Sequence, residues 1–528
     1  MMTTAEMMGG RTHGQAEAGL SNEQRLSAGA LKPLAALINH LGLAQHFLGD
    51  AVLLGVDPVI RSPHRLGEAS GMAQLLIGVA GAAIWHARTG QKTDIAIDII
   101  DALHYLHPTH FVEQQNRPID VGAESVDVNG MFLCGDNRHL MIEAGPPYMK
   151  LLKGYLNFFD CGYNKSSIAR EIAKWDSADL ETALSNAGLP SCRAFTREEW
   201  LGHPQGAALS RVPVIEVEKI ADSEPVTYDP DAISPLQGLR VLDFTHVLAG
   251  PRSARTLAEY GAEVLHISSP SYPDTFAQHL GVDVGKTCAY LDLRDTNDLE
   301  TMTRLARKAD VFANSYRPGV TKRFGLSPAE LAAKSERGIV CMTANAYGHS
   351  GPWTERPGFD QNAQVASGFA SKEGEPDKPR FSPVYYLADL MTGYFAAAGV
   401  MSALLRRSIE GGSYHVKLSL AWSAMWVQEL GFLATATQKC LPEHDTYPAK
   451  KTSIDSGYGK VSFLAPPLAF SNLTLPDASR LVLMARMCRN GRSGIEASHR
   501  RKPFEHSGLS ACRVKKFGLN SGKPQLIP

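Results

Sequence analysis

The most constraining feature of this sequence is a regular alternation of short apolar strands and helices between residues 239 and 346. "LRVLDF" predicts a buried strand, "RSARTLAEYG" a helix ending at Gly261, and "AEVLHI" the next strand. The same order continues through "KTCAYLDL", "TNDLETMTRLARKA", "DVFANS", "SPAELAAKS" and "GIVCMTANA". Strands that alternate with helices of this length form a parallel sheet with crossover helices. We therefore predict an α/β protein with a Rossmann-like parallel sheet.

The loops that follow the strands of this sheet are the expected place for a ligand. In open α/β sheets, ligands bind beyond the carboxyl ends of the strands. Here those ends lead into "THVLAGP" at 245–251 and "NSYRPG" at 314–319. No GxGxxG motif follows the first strand, which argues against an NAD-dependent dehydrogenase.

Composition limits the classes of function. The 528 residues suffice for two or three domains, and a net charge of -1 gives no reason to expect nucleic acid or an anionic membrane as partner. The eight cysteines form no CxxC pair and the histidines no cluster at metal spacing, so we expect a reduced, cytoplasmic protein without a metal. The first residues lack the pattern of a signal peptide. The longest apolar stretch, at 73–85, is too short to span a bilayer and predicts a buried helix.

A polar, proline-bearing stretch at 221–238 predicts a linker between two different regions. Before it, a helix at 71–88, a strand "TDIAIDI" and a hairpin "GMFLCGDNRHLMIEA" precede a stretch of helical character, which predicts a smaller α+β domain. The final stretch, 476–528, holds eleven basic residues against three acidic ones and no apolar period, so we expect a basic, disordered tail. Residues 1–54 carry no clear assignment.

An internal repeat crosses the linker. When 71–98 is set against 393–419, Gly71 falls on Gly393 and Gly90 on Gly412, with apolar positions and a following strand in the same places. This similarity predicts two copies of one helix–strand unit. The copies are not equal, because in this register Asp389 faces Gly67 and the nearest acid is its neighbour Glu68.

Asp389 is the single carboxylate in "VYYLADLMTGYFAAAG", where an apolar helix begins. One interpretation is an N-cap, whose side chain accepts hydrogen bonds from free N–H groups and suits the helix dipole. The other is a reactive carboxylate that the helix end keeps ionised against a partly apolar site. These residues alone leave both interpretations open.

Five motifs between 236 and 430 resemble the class III CoA-transferases, which include formyl-CoA transferase, carnitine CoA-transferase and their relatives the α-methylacyl-CoA racemases. They are "LRVLDFTHVLAGPRSARTLAEYGAEVLHI", "CAYLDLR", "ADVFANSYRPGVTKRFGLS", "GHSGPWTERPGFDQNAQVASG" and "LADLMTGYFAAAGVMSALLRR". The resemblance implies a partial unit with the small domain at 55–220 and a CoA-binding unit at 239–475. It also implies an interlocked architecture and a homodimer. The half unit lacks its first strands, so we expect it to pack on the second unit, within the chain or across a dimer.

The resemblance implies that Asp389 is the nucleophile of a transferase that moves CoA between an acyl-CoA and a carboxylic acid. It further implies a set of residues that contact CoA: Val247, Leu248, Ala249, Leu291, Arg294, Ser315, Tyr316 and Arg323. Arg294 and Arg323 suit phosphate, and Tyr316 suits packing on adenine. One departure is Ser269, because family members often have a phosphate-facing arginine there.

Two other functions remain open. In the racemases a histidine transfers a proton at the position of Phe359, which cannot carry one, so the transferase is favoured over an acyl-CoA racemase or isomerase. A CoA-binding protein without turnover is the second alternative. His246 either orients a substrate or forms only structural hydrogen bonds. Asp360 is interpreted as an N-cap or as a member of a hydrogen-bond network.

Overall fold

The computed structural model forms strands and helices in the order that the hydrophobic pattern predicts. It describes residues 25–27, 31–119, 128–145, 148–384, 386–434, 441–476, 481 and 485–486. These residues belong to one unit of the chain, Met1–Arg486. The stretch predicted as a disordered tail, 476–528, lies outside the described residues except at 476, 481 and 485–486. The expectation of disorder was wrong for Ala485–Arg486, which form a strand paired with Ala289–Tyr290.

The strands of the described residues are numbered in chain order. They are β1 (Arg25–Ser27), β2 (Ala51–Leu54), β3 (Ile95–Asp98), β4 (Glu113–Gln114), β5 (Arg117–Pro118), β6 (Gly130–Leu133), β7 (His139–Ile142), β8 (Ser191–Arg193), β9 (Glu216–Ala221), β10 (Arg240–Phe244), β11 (Glu263–Ser268), β12 (Thr287–Tyr290), β13 (Val311–Asn314), β14 (Val340–Asn345), β15 (Ser413–Ser419), β16 (Lys451–Ser456), β17 (Gly459–Leu464), β18 (Leu468–Phe470) and β19 (Ala485–Arg486).

The α-helices are numbered in the same way. They are α1 (Lys32–His40), α2 (Leu66–Thr89), α3 (Ile99–His104), α4 (Met149–Phe159), α5 (Lys165–Ile172), α6 (Ser177–Asn186), α7 (Arg197–Gly202), α8 (Pro204–Leu209), α9 (Ala249–Glu259), α10 (Phe276–Val282), α11 (Thr296–Lys308), α12 (Pro318–Lys322), α13 (Pro328–Lys334), α14 (Asp360–Ala366), α15 (Phe369–Glu373), α16 (Leu387–Glu410) and α17 (Leu420–Glu429). Short 3-10 helices lie at Pro108–Phe111 and His444–Thr446.

The main sheet has eight strands in the order β19-β12-β11-β10-β13-β14-β15-β9. Neighbouring strands run parallel from β19 to β15, and β9 pairs antiparallel with β15 at the edge. The predicted α/β class with a Rossmann-like parallel sheet is thus confirmed. The chain reverses its direction of progress across the sheet between β10 and β13, which is where such folds leave a crevice for a ligand.

The two copies of the predicted repeat form equivalent structures that pack together. Helices α2 and α16 are both 24 residues long, contact each other and lead into parallel strand pairs, β2–β3 and β14–β15. Strand β9, which ends the first half, pairs with β15, whereas β18 from the second half pairs with β3. Each half thus supplies the last strand of the other's sheet. The half unit therefore packs on the second unit within this chain.

Buried aromatic and charged side chains join the two halves beside these helices. The Tyr394 hydroxyl donates to the carbonyl oxygen of Tyr105, so α16 is tied to the end of α3. The guanidinium of Arg252 on α9 lies 5.5 Å from the Tyr105 ring centroid and 5.6 Å from that of Tyr394. It also pairs with Glu259 at 2.6 Å, so its buried charge is compensated.

The stretch predicted as a linker lies against the protein surface. Arg88 at the end of α2 donates to the carbonyl oxygens of Asp229, Pro235 and Gln237. The smaller domain is built on the antiparallel sheet β6-β7-β8, with helices α4, α5 and α6 around a core of its own. Its first hairpin turns at the predicted Gly135-Asp136-Asn137, where Asn137 has a φ of 62°.

Helices α2 and α16 are long and apolar enough to cross a membrane, which the argument from the 73–85 stretch did not anticipate. The 73–85 stretch lies in a buried helix as predicted, but this helix, α2, extends beyond the stretch at both ends and is therefore longer than expected. Burial is the informative quantity, because 94% and 100% of the most apolar windows of α2 and α16 are buried inside the protein. Core helices of soluble proteins pass the same length and composition test.

Helix α16 approaches α9 closely at Gly393. A Cβ atom at this position would lie 2.8 Å from the carbonyl oxygen of Ala249 and 3.1 Å from Cβ of Arg252. Because the nearest atom belongs to the backbone, a methyl group cannot be accommodated by a rotamer change. We expect Gly393→Ala to lower the free energy of unfolding by about 1 to 3 kcal/mol, the range for overpacking a core, in chemical denaturation.

Gly202→Ala is the matched control, since a Cβ there would meet no atom within 4 Å. Equal stability of the Gly393→Ala variant and the native chain would show that the two helices do not pack this closely.

Candidate active site

A cavity of about 80 Å³ opens at the carboxyl ends of β10, β13 and β14, beside the start of α16. This is the crevice expected from the change in strand direction. Four of the residues predicted from the sequence line it, namely Val247, Ala249, Ser315 and Asp389. The structure thus brings together residues that are up to 142 positions apart in the chain.

The loops after β10 and β13 are bonded to each other at this cavity. The His246 N–H donates to Ser315 Oγ at 2.9 Å, and that hydroxyl lies 3.3 Å from the His246 carbonyl oxygen. The Tyr316 ring stacks on the His246 imidazole with 4.3 Å between centroids. Tyr148, from the smaller domain, places its hydroxyl 2.9 Å from His246 Nδ1. Burial lowers the pKa of His246, so the ring is neutral at physiological pH.

Val247 has an unusual backbone conformation in the wall of the cavity. Its φ is 67°, in the left-handed region that β-branched residues rarely adopt. The conformation turns the chain directly into α9, which begins at Ala249 after Leu248 as the N-cap. Strained residues of this kind concentrate at functional sites because the surrounding structure must hold them in place.

The structure corrects the predicted role of Asp389 as the helix cap. Helix α16 begins at Leu387 with Tyr386 as N-cap, so Asp389 is its third residue. The Asp389 N–H donates to Asp360 Oδ2 at 2.8 Å, and the Ala388 N–H also hydrogen bonds to Asp360. Asp360 therefore satisfies the free amides of this helix. The Asp389 carboxylate instead accepts from the Ala249 N–H, the first amide of α9.

Three buried carboxyl groups interact here. Burial, which is the largest effect, and the charge of Asp360 raise the pKa of Asp389 well above its usual range. The charge of Glu143 raises it further. Burial likewise raises the pKa of Asp360 to about 7 and that of Glu143 to about 8. The Ala249 N–H acts in the opposite direction on Asp389 but is outweighed. The expectation that a helix end alone keeps Asp389 ionised was therefore wrong, because neighbouring acids compete for the charge.

The first copy of the repeat has a related pair of acids. At the start of α2 the Asp57 carboxylate accepts from the Glu68 N–H at 2.8 Å, much as Asp360 accepts from the Asp389 N–H in the second copy. Glu68 and Asp389 are each the third residue of their helix, so the structure pairs Asp389 with Glu68, whereas the sequence alignment had set it against Gly67. The Glu68 carboxylate differs in having a cation beside it, because it pairs with Arg65 at 3.2 Å.

The other predicted residues lie on the same edge of the sheet but do not line the cavity. Leu248 and Leu291 are buried in the core, and Tyr316 lies behind His246. Arg294 is 65% exposed and hydrogen bonds to Asp292 and to Ser271 Oγ at 2.8 Å. Arg323 is exposed at the end of α12.

Two cavity residues, Arg317 and Arg356, were missed by the sequence analysis, as was the proximity of Glu143 to Asp389. Both arginines stand before a Pro-Gly pair in loops that follow strands of the sheet, which is a weak signal that a search of the loops for cations would find. Glu143 follows β7 in the smaller domain, so only the packing of the two halves brings it near Asp389.

A buried charge network supports the strand that leads to the cavity. Lys286, fully buried, lies 2.8 Å from Asp243 Oδ2 and 2.9 Å from Asp283 Oδ1. His266 also pairs with Asp243, at 3.1 Å, and its pKa is raised well above its usual range despite burial because Asp283 and Asp243 favour its charged form. Two groups of three residues that share Asp283 have ligand atoms close enough for a cation, namely His279, Asp283 and Cys288, and Asp243, His266 and Asp283. The Lys286 ammonium already provides the positive charge there.

Comparisons with known proteins agree with this arrangement of motifs. A family model described as CoA-transferase family III matches residues 236–454. An acyl-CoA transferase of Gibberella moniliformis (strain M3125 / FGSC 7600) is 33% identical over 422 residues, covering 70% of this chain and 73% of that protein.

Two further matches are partial. The acetyl-coenzyme A transferase nodX of Hypoxylon pulicicidum is 31% identical over 275 residues, covering 49% of this chain, and the chain spans 46% of that relative's length. A crystal structure of a CAIB/BAIF family protein from Brucella suis is 24% identical, with a TM-score of 0.36, covering 43% of this chain and 65% of that one.

Replacement of Asp360 tests the coupling of the carboxyl groups. Because the negative charge of Asp360 raises the pKa of Asp389, Asp360→Asn removes that repulsion and should lower the pKa of Asp389. Isotope-edited infrared titration of 13C-aspartate protein, with the Asp389→Asn variant to identify the band, measures this change.

Asp179→Asn, an exposed position on α6, serves as the control and should leave the titration unchanged. An Asp389 band that titrates identically with and without Asp360 would mean that the two carboxyl groups do not interact.

Proposed function

The chain belongs to CoA-transferase family III, and we propose that it moves CoA from an acyl-CoA to a carboxylic acid with Asp389 as the nucleophile. The observation that carries the proposal is the position of the Asp389 carboxylate. It lies in the cavity at the reversal point of the parallel sheet and accepts from the first amide of α9. A capping role leaves this placement unexplained, because Asp360 already caps α16.

The proposed reaction conserves the energy of the thioester through two exchanges. An oxygen of Asp389 attacks the thioester carbonyl, the C–S bond breaks, and CoA leaves as a thiolate from a mixed anhydride. The thiolate then attacks the aspartyl carbonyl, so the donor acid leaves as a carboxylate and an aspartyl-CoA thioester remains. The acceptor carboxylate reverses these two steps, which gives the new acyl-CoA and frees Asp389. No ATP is needed, because each bond broken is replaced by one of similar reactivity.

The residues around Asp389 suit the charge that this chemistry moves. Asp389 and Asp360 compete for one negative charge, and the raised pKa of Asp389 favours its protonated form. We propose that this proton passes to Asp360 or Glu143 when Asp389 attacks. The positive end of α9 and the Ala249 N–H lie at the Asp389 carboxylate, and we propose that they stabilise the oxyanion of each tetrahedral intermediate formed there. Neutral His246, fixed by Tyr148 and Ser315, supports the loop that presents Ala249.

The cavity is too small for CoA, so the nucleotide must lie outside it along the sheet edge. Its volume of about 80 Å³ is about half that of an engineered protein cavity that holds one benzene molecule. The residues predicted to contact CoA lie in loops that leave the same edge, with Arg294 and Arg323 exposed. We propose that these arginines bind CoA phosphates and that Val247 and Ala249 lie beside the thioester. A cytoplasmic location and a homodimer also remain our expectations.

The racemase alternative has less support in this cavity. Phe359 forms part of the wall and stacks on Tyr148, with 5.9 Å between ring centroids. It occupies the place of the proton-transferring histidine of the racemases. Exchange of deuterium from solvent into the α-carbon of an acyl-CoA, without transfer of CoA, would favour the racemase instead.

Asp389→Asn separates a nucleophile from a structural residue. The amide cannot form an anhydride, so transfer should fall by at least about three orders of magnitude, as expected when a covalent route is lost. Binding of CoA and thermal stability should change little, because Asn fits the same space. Hydroxylamine should label the native protein after incubation with an accepted acyl-CoA, on the peptide that contains Asp389. The measurement is mass spectrometry of products and peptides for a panel of donors and acceptors.

The control for this experiment is Asp179→Asn, at an exposed position of α6, which should retain full turnover. An Asp389→Asn variant with near-native transfer would eliminate the proposed nucleophile.

Arg323→Ala tests the CoA site separately from the chemistry. Loss of a charge-assisted hydrogen bond to phosphate should weaken CoA binding by about 1.5 to 3 kcal/mol in calorimetry. Arg304, exposed on α11, is the matched arginine whose replacement by alanine should have no effect. Unchanged affinity in Arg323→Ala would remove this residue from the CoA site.

A further inference from the structure

The turn between β10 and α9 is held in an unfavourable conformation. Val247, in the middle of this turn, has a φ of 67°, which a β-branched residue adopts only where the surrounding structure enforces it. Two residues later, the N–H of Ala249 reaches the Asp389 carboxylate. Relaxation of Val247 would move this amide. The position of the amide therefore depends on what fixes the two ends of the turn.

One buried cation is bonded to both ends of the turn. Lys286 lies in the loop between α10 and β12, and its side chain is 0% exposed. Its ammonium donates to Asp243 Oδ2 at 2.8 Å and to the carbonyl oxygen of Pro251 at 2.9 Å. Asp243 belongs to β10, before the turn, and Pro251 is the third residue of α9, after it. The same ammonium pairs with Asp283 at 2.9 Å, so three oxygens surround its three N–H donors.

The strand end and the start of α9 are also in direct contact. The Thr245 hydroxyl donates to Asp243 Oδ1, the second oxygen of the carboxylate that Lys286 binds. Thr245 packs on Gly250, where a Cβ atom would lie 2.4 Å from Cβ of Thr245. Because only glycine leaves room for this contact, the first residues of α9 lie directly on Thr245. Lys286, Asp243 and Thr245 thus form a closed ring of contacts with the start of α9.

Charge compensation alone does not explain the place of Lys286. Asp243 has a second partner in His266 at 3.1 Å, whose charged form is favoured, and Asp283 lies 2.6 Å from His279. The carbonyl group at the start of α9 is uncharged, so the bond that Lys286 donates to it neutralises nothing. Lysine is almost never fully buried unless it is paired, because its charge loses hydration. The bond to the carbonyl therefore points to a role in fixing the position of α9.

We propose that Lys286 is a positioning residue, because it holds both ends of this turn and so keeps the Ala249 N–H on the Asp389 carboxylate. Without Lys286, the start of α9 loses its bond to the residue that also anchors the end of β10, and the strained turn relaxes. The amide that then moves is the donor proposed for each oxyanion, so the transition state loses more than substrate binding does. This inference rests on the proposed function for its effect on catalysis, but the position of the amide is measured without turnover.

The titration of Asp389 reports where this amide lies. Because the hydrogen bond from Ala249 lowers the pKa of Asp389, its loss in Lys286→Met should raise that pKa further. Isotope-edited infrared titration of 13C-aspartate protein measures the change, with Asp389→Asn to identify the band. With an accepted acyl-CoA, kcat should fall at least about tenfold while KM stays within about twofold of native, since the displaced donor acts mainly in the transition state.

A second variant separates position from charge. Lys286→Met also removes a positive charge, and its thermal midpoint should fall because two buried acids lose a partner. The double variant Asp283→Asn/Lys286→Met keeps the net charge of the network, so the midpoint should partly recover. The raised pKa of Asp389 and the reduced kcat should persist in it, because the bond to the α9 carbonyl is still missing.

Thr245→Val tests the other end of the turn with every charge in place. It removes the hydroxyl that donates to Asp243, so the pKa of Asp389 should rise here as well. Lys308→Met, at an exposed position of α11, is the matched lysine control and should leave every quantity unchanged.

Three results would overturn the inference. The first is a native titration of Asp389 in a folded Lys286→Met variant. The second is a native titration and kcat in the double variant, since the effect would then be one of charge alone. The third is a native titration in Thr245→Val, which contradicts the inference even where replacement of Lys286 prevents folding. Failure of the proposed function is distinguished from these results, because the native protein then transfers no CoA and gives no hydroxylamine adduct, while the titration of Asp389 still depends on Lys286.

Discussion

The close packing of α16 on α9 at Gly393 is the contact on which the proposed site depends. Gly393 lies one helical turn after Asp389, and its missing side chain lets the backbone carbonyl of Ala249 approach the helix. The same approach places the Ala249 N–H on the Asp389 carboxylate. A helix that begins at the end of a parallel strand is thereby joined to a helix that begins 138 residues later. Without this contact, nothing would hold the loop after β10 against the Asp389 carboxylate.

Two opposing effects set the pKa values of the acids in the site: burial raises them, and the hydrogen bonds that the acids accept lower them. Burial raises the pKa of Asp389, Asp360 and Glu143, and the hydrogen bonds that these acids accept, from peptide amides and for Asp360 also from the Gln364 side chain, act in the opposite direction. In the network behind β10, by contrast, the buried Lys286 ammonium pairs with both Asp243 and Asp283. The contrast is informative, because a group that must gain and lose charge during a reaction cannot be paired permanently with a cation.

The duplication explains how one half of the chain can complete the other. The first copy keeps the long helix, the following strand and an acid that caps the helix, and in the place of Asp389 it has Glu68, which pairs with Arg65. Its contribution is made at a distance, since Tyr148 fixes His246 and Glu143 adds to the charge around Asp389. Exchange of β9 and β18 between the sheets keeps these residues in place.

Local patterns in the sequence determined the order of strands and helices, the loops 245–251 and 314–319 as the expected place for a ligand, and Asp389 as a candidate whose role they left open. These features depend on periodicity and on residue type over short distances, which a single sequence contains. Only the tertiary structure decided that Asp360, 29 residues away, caps the helix in place of Asp389. It also decided that Glu143 and Arg356 face the same cavity region as Asp389, and that Arg294 and Arg323 remain exposed. The reason is physical: a pKa and a binding pocket depend on distances between groups that are far apart in the chain, and those distances exist only after the halves have packed.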